Sequence, residues 1–180
     1  MGRYNVIDLF AGCGGFSVGF EQAGFNIVKA VEFDKQIAQT YLHNHKETKL
    51  YIDDIARVDT DEFFERGESD VIIGGPPCQA YSVAGRARMG NPVEEDPRNE
   101  LYKYYVQFLE RYQPKMFVFE NVLGIITAKR GEPFADLKKL VDELGYGSRW
   151  SDVKGFKFLQ KRICLMKMRL IIINEIFLLC

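Results

Sequence analysis

The sequence predicts an α/β, doubly wound fold on a mostly parallel sheet, and three observations predict it. Short apolar runs alternate with stretches of helical period, the pattern of strand–helix–strand crossovers. A glycine cluster, Gly12-Cys13-Gly14-Gly15, follows the first apolar run, where a strand would turn into a helix. Asp8, Glu32, Asp54, Cys78 and Glu120 fall at the carboxyl ends of successive runs, and a parallel sheet gathers such ends along one edge, where these folds bind ligands.

The elements follow in order. Tyr4 to Phe10 reads as a first strand, and Phe16, Phe20 and Ala23 mark a helix that Gly24 stops. Asn26 to Val31 is a second strand ending at Glu32, and Ile37, Tyr41 and Leu42 mark a second helix. Lys49 to Ile52 is a third strand ending at Asp53-Asp54, and Val71 to Ile73 a fourth. Asn99 to Tyr112 is an aromatic-rich helix, Lys115 to Phe119 a fifth strand ending at Glu120-Asn121-Val122, and Phe134 to Leu144 a helix stopped by Gly145. Ala80 to Arg98 holds Gly85, Gly90, Pro92 and Pro97 without periodicity, a long loop of the kind that carries function. At 180 residues the whole chain, 1–180, is expected to be a single domain with one core.

Composition narrows the class. With 47% apolar and 27% charged residues the chain is an ordinary globular one, and a net charge of −1 provides no global basic field for nucleic acid. Cys13, Cys78, Cys164 and Cys180 show no paired spacing and no metal-like spacing with His43 or His45, so neither a disulfide framework nor a metal site is expected. Reduced thiols and the lack of a signal pattern suit the cytoplasm. The apolar tail after Leu170 is too short to span a bilayer, and no membrane partner is expected.

The most informative stretch is Gly75-Pro76-Pro77-Cys78-Gln79-Ala80-Tyr81-Ser82. Two prolines fix φ and remove two backbone donors just after a buried strand. The thiol that follows is placed like a nucleophile; a structural, buried cysteine is the competing reading. The glycine turn permits close backbone approach to a ligand. Glu32 stands about 20 residues beyond it, the distance at which a carboxylate meets a ribose diol. Asp53-Asp54 offers a further acceptor, suited to an adenine amine. Ser17 occupies the third glycine position of a dinucleotide fingerprint, and no triphosphate loop is present.

Taken in order, Asp8-Leu9-Phe10-Ala11-Gly12-Cys13-Gly14-Gly15-Phe16, Glu32, Asp54-Ile55, the Pro-Pro-Cys-Gln turn and Glu120-Asn121-Val122 resemble the DNA (cytosine-5)-methyltransferase family. The resemblance covers residues 4 to about 145 and fades beyond. It implies the Rossmann-like fold of S-adenosylmethionine-dependent methyltransferases and implies S-adenosyl-L-methionine as cofactor, with S-adenosyl-L-homocysteine as product. Phe10 would stack on adenine, Glu32 would bind the ribose, and Asp54 and Ile55 the adenine edge. Gly12, Gly14 and Gly15 would line the methionine end, with Phe33, Pro77 and Leu101 completing the pocket. Cys78 would be the nucleophile, Glu120 the base-binding acid, and Arg162 a further catalytic residue. The implied substrate is double-stranded DNA, in a restriction-modification setting and near the nucleoid in a bacterium.

Chemistry supports these roles. Cytosine C5 is too weak a nucleophile to take a methyl group unaided, and a thiolate adding at C6 makes C5 enamine-like. A protonated Glu120 could donate to N3. The target carbon is inaccessible in a duplex, so the base must flip out, with the Ala80–Arg98 loop closing over it and Ser82, Arg86 and Arg88 near the DNA backbone.

The sequence departs from the family after about Trp150. Gln160-Lys161-Arg162-Ile163-Cys164 keeps one arginine and places Cys164 where a second is expected, losing a fixed bidentate donor. No target-recognition domain is legible. The chain alone is therefore expected to be nearly inactive and to hold its cofactor weakly. Either a second polypeptide supplies DNA recognition, with Leu170 to Leu179 as an interface strand, or the chain is a degenerate cofactor-binding fragment. A tRNA cytosine-5 methyltransferase is a further alternative. A nicotinamide-dependent oxidoreductase would leave the cysteine and Glu120 idle.

Overall fold

Strands form where apolar runs are buried on both faces, as parallel sheets require. The computed structural model describes residues 4–63, 67–77, 100–121, 124–150 and 169–173. Its strands are β1 (Asn5–Leu9), β2 (Asn26–Glu32), β3 (Lys49–Ile52), β4 (Val71–Gly74), β5 (Met116–Glu120), β6 (Gly147–Trp150) and β7 (Arg169–Ile173). They make one sheet in the order β3-β2-β1-β4-β5-β7-β6, with every pairing parallel. The chain winds outward in both directions from the β1/β4 pair, which sets the ligand crevice at the carboxyl ends of these two strands.

The helices are α1 (Gly15–Gln22), α2 (Lys35–Asn44), α3 (Thr60–Phe63), α4 (Leu101–Tyr112), α5 (Gly124–Thr127) and α6 (Glu132–Glu143). Strand alternation divides the core between the two faces of the sheet. Ile7, Leu9, Ile72, Phe117 and Phe119 pack with Tyr105, Phe108 and Leu109 of α4 and with Leu137 and Val141 of α6. Val6, Ile73 and Val118 point the other way and pack with Phe20 of α1. Tyr105 is fully buried, and its hydroxyl lies 3.0 Å from both the Ile72 and Val118 carbonyls, so one proton is shared between β4 and β5. Gly24 and Gly145 follow the ends of α1 and α6 with φ of 92° and 83°, as expected of helix-stopping glycines.

The second helix forms as its spacing predicts; of its three marking residues Tyr41 is fully buried together with Ala38, whereas Ile37 and Leu42 are 39% and 38% exposed. Ala38, Tyr41 and His45 share the inward stripe at i, i+3 and i+7; the stripe is masked in the sequence because it holds a small residue and a histidine. The tail after Leu170 is not an interface strand, at least over its first residues. Arg169–Ile173 pairs with β5 on one side and β6 on the other, so its backbone groups are spent inside this sheet and present no open edge.

A clamp closes the opposite edge of the sheet. Asp70 accepts from the Asn5 N–H at 2.9 Å and from Lys115 Nζ at 2.6 Å, joining the amino ends of β1, β4 and β5. Burial pushes the Asp70 carboxyl up, but the Lys115 and Asn5 hydrogen bonds and the Lys115 charge outweigh it, and the net shift is downward. A depressed carboxyl contributes stability above its unfolded value of 3.8 that is lost as pH falls through the lower folded value. Asp70→Ala is expected to cost about 1.5 kcal/mol at neutral pH and less at pH 3, measured by thermal unfolding across that range. Equal losses at both pH values would show that the clamp is not ionic.

Candidate active site

The turn after β1 is held from both sides. The Ala11 N–H donates to the Val31 carbonyl and the Gly14 N–H to the Ala11 carbonyl, each at 2.9 Å. Phe10 enters the turn at φ 60°, a left-handed conformation for a non-glycine residue that costs on the order of 1–3 kcal/mol and persists where its surroundings over-determine it; its ring is partly buried against the main core. Glu32, at the end of β2, is only 9% exposed. Its Oε2 accepts from the Gly12 N–H and its Oε1 from the Asp34 N–H, both at 2.8 Å. The carboxylate is thereby locked beside the glycine turn, and each oxygen keeps a lone pair for a further donor. Phe33, next in sequence, stands 71% exposed.

At the end of β3, Asp54 Oδ1 accepts from the Ala56 N–H at 3.0 Å and caps a single 3-10 turn, Ile55–Arg57. The Ile55 side chain is buried in the core, so what it can offer a ligand is its backbone. Leu101 opens α4 half-buried, and Pro77 is exposed. A buried, pre-oriented carboxylate, a glycine turn, an exposed aromatic ring and a second carboxylate along one edge fit a cofactor that carries a nucleoside.

The ends of β4 and β5 make the other half of the site. A Cβ on Gly75 would lie 2.6 Å from Glu120 Oε2, and one on Gly74 would overlap the Leu9 carbonyl; the two glycines let Glu120 and β1 approach this closely. Burial pushes the Glu120 carboxyl up to about 7, so an acid that would be ionised in water retains its proton near neutrality. Asn121 is buried, and its Nδ2 donates to the Pro76 carbonyl at 3.2 Å, tying the Pro-Pro turn to the end of β5.

Asn121 carried no separate role in the sequence reading, nor did Asp8, Ser17, Tyr41 and His45. Ser17, which breaks the dinucleotide fingerprint, donates from Oγ to Asp8 Oδ2 at 2.7 Å; that departure was the one signal that could have found this pair. Burial pushes the Asp8 carboxyl up to about 7, against the lowering effect of the Ser17 bonds, and the nearby Glu32 charge raises it further. Cys78, Ser82, Arg86, Arg88, Arg162 and Cys164 lie outside the described residues. Gly12, Gly14, Gly15, Glu32, Pro77 and Glu120 come to the same sheet edge.

Comparisons with known proteins agree with this geometry. The family model for C-5 cytosine-specific DNA methylase matches residues 4–162, reaching through Arg162, beyond the point near 145 where the resemblance was expected to fade. The chain is 45% identical over 126 residues to the Type II methyltransferase M.DdeI of Desulfomicrobium norvegicum, covering 69% of this chain and 29% of the relative. It is 44% identical over 141 residues to the Type II methyltransferase M.FnuDI of Fusobacterium nucleatum, covering 78% and 39%. A crystal structure of a prophage-encoded protein described as a DNA modification methyltransferase, from E. coli, superposes with a TM-score of 0.65 at 34% identity, covering 78% of this chain and 38% of that one. The matched stretch thus spans well under half the length of these relatives.

Proposed function

The chain belongs to the C-5 cytosine-specific DNA methylase family, and from that premise we propose that it methylates C5 of a flipped-out cytosine in double-stranded DNA through a covalent bond from Cys78 to C6. The observation that carries this reading is Glu120: a carboxyl whose burial lifts it to about 7, against Gly75 at the root of the turn that leads to Cys78.

Glu32 would hold the ribose hydroxyls of S-adenosyl-L-methionine, Gly12, Gly14 and Gly15 the methionine end, Phe10 the adenine face, and Asp54 and Ile55 the adenine edge. Phe33, Pro77 and Leu101 would close the pocket. When bound, this cofactor supplies an electrophilic methyl group. The Cys78 thiolate forms the Sγ–C6 bond as the Glu120 carboxyl gives its proton to N3, so the electron pair displaced from C6 is not stranded on the ring. C5 thereby becomes enamine-like. Once C5 carries the methyl group, loss of the C5 proton to water expels the thiolate, and N3 returns its proton to Glu120 as the aromatic ring is restored. Ser82, Arg86 and Arg88 would contact phosphates flanking the flipped base, and Arg162 would complete the base-binding set.

With a net charge of −1 the chain has little electrostatic attraction of its own for duplex DNA. The reading therefore includes a partner polypeptide that reads the DNA sequence. Activity that appears only on co-expression with such a subunit supports that part, and full turnover by the chain alone removes it.

Trapping on a duplex that carries 5-fluorocytosine in a mismatch, where flipping is cheapest, tests the chemistry. The wild-type chain is expected to give a covalent adduct in the presence of S-adenosyl-L-methionine, and Cys78→Ser to give none. An adduct that survives Cys78→Ser, or a wild-type chain that binds cofactor and forms no adduct even when co-expressed with the DNA-reading subunit, would overturn the proposal. Trapping records a single turnover, so it registers a chain too slow for a steady-state assay.

A further inference from the structure

Behind the glycine turn lies a polar cluster that the proposed chemistry does not use. Asp8 sits on the face of β1 that meets α1 and is 1% exposed. Ser17 is fully buried and donates to Asp8 Oδ2 at 2.7 Å. Its single proton is spent there, so the Tyr41 hydroxyl, 2.7 Å from Ser17 Oγ, must be the donor in the second bond. The order of donation is Tyr41 to Ser17 to Asp8, from α2 through α1 to β1. The Tyr41 ring packs against His45 with centroids 4.5 Å apart and the ring planes tilted by 35°. His45 is 3% exposed, and its Nδ1 lies 3.1 Å from Glu21 Oε1 on α1.

The cluster touches the turn directly. A Cβ on Gly14 would overlap His45 Nε2, lie 2.5 Å from His45 Cδ2 and lie 3.1 Å from Tyr41 Cδ2. The two rings occupy the space that a side chain at position 14 would need. Asp8 Oδ1 and His45 Nε2 are buried with no hydrogen-bond partner among the described residues. Buried polar atoms of this kind are costly, and a hydrocarbon core would serve stability alone better.

We propose that Tyr41 and His45, with Ser17 and Asp8, are positioning residues: a polar platform that holds the Gly12-Cys13-Gly14 turn in its ligand-ready shape. The hydrogen-bonded chain fixes the Tyr41 ring, the Tyr41 ring and Glu21 hold the His45 ring, and the two rings fix Gly14. That the ligand is the cofactor rests on the function proposed above; the support of the turn does not.

Cys13, half-buried within the turn, is a built-in reporter. The 180-residue chain is treated with iodoacetamide, and Cys13 modification is followed by peptide mass spectrometry. Tyr41→Phe, which removes only a hydroxyl, and His45→Ala are each expected to speed Cys13 alkylation about fivefold or more by freeing the turn. Both should also weaken S-adenosyl-L-homocysteine binding about tenfold by calorimetry. Asp70→Ala, at the far edge of the sheet, should leave the Cys13 rate within about twofold of wild type. Cys13 rates unchanged in Tyr41→Phe and His45→Ala, or raised as much in Asp70→Ala, would overturn the platform. Faster Cys13 modification in a chain that never binds S-adenosyl-L-homocysteine would uphold the platform and sink the cofactor reading. If His45→Ala does not fold, Tyr41→Phe decides the matter alone.

Discussion

Glu120→Gln is expected to make the folded chain more stable above pH 7 while slowing adduct formation about 100-fold. Both effects follow from one carboxyl. Burial raises its folded pKa from 4.5 to about 7, so between these values the folded state binds a proton that the unfolded state releases. Wild-type stability therefore falls as pH rises through that window, and above it the whole penalty for the buried charge is present. The amide has no charge to bury and lifts the penalty, a gain on the order of 2 kcal/mol once its own desolvation is subtracted. It cannot deliver a proton to N3, so addition at C6 slows. Above pH 7 the wild-type trapping rate should fall relative to the variant, because ionised Glu120 is no longer an acid. Thermal unfolding from pH 4 to 9 and trapping on 5-fluorocytosine DNA give the two readouts. A variant with wild-type trapping at pH 7 would remove Glu120 from the chemistry, and one less stable at pH 8 would show that its charge is compensated.

Glu32→Gln should weaken S-adenosyl-L-homocysteine binding about 100-fold. The substitution is nearly isosteric, but both carboxylate oxygens already accept a backbone N–H, from Gly12 and from Asp34. A glutamine brings one oxygen and one NH2, so one of these N–H groups must face a donor. The side chain then turns, and the Gly12 end of the turn loses its anchor together with the acceptor proposed for the ribose. Calorimetry on the folded variant reads the effect; a dissociation constant within about threefold of wild type would show that Glu32 braces the turn without meeting the ligand.

Much of this site was legible because its motifs are local. Gly75-Pro76-Pro77 marks the end of a buried strand, and the structure adds what approaches it there, the Leu9 carbonyl at Gly74 and Glu120 at Gly75. The ends of β1 to β5 were read to within a residue, since each apolar run is bounded by polar residues or glycine, whereas β6 was not read at all. The buried face of α2 was legible only in part: Tyr41 was read from its spacing, but the stripe it belongs to holds Ala38 and His45, not Ile37 and Leu42. A histidine and a tyrosine count as core only when their polar atoms find partners, and those partners, Ser17 and Glu21, lie 24 residues away from Tyr41 and His45 respectively. The last strand failed for the same reason, because an apolar run does not say which neighbour will pair with it.

The sequence by itself determined the fold class and the polar strand ends that gather on one sheet edge, because periodicity and turn chemistry act over a few residues. Only the tertiary structure decided that Glu120 keeps its proton near neutrality, that Glu32 is locked by two backbone donors, and that α2 sets its rings beneath Gly14. Burial, hydrogen-bond partnership and steric contact belong to pairs of residues that the fold alone brings together.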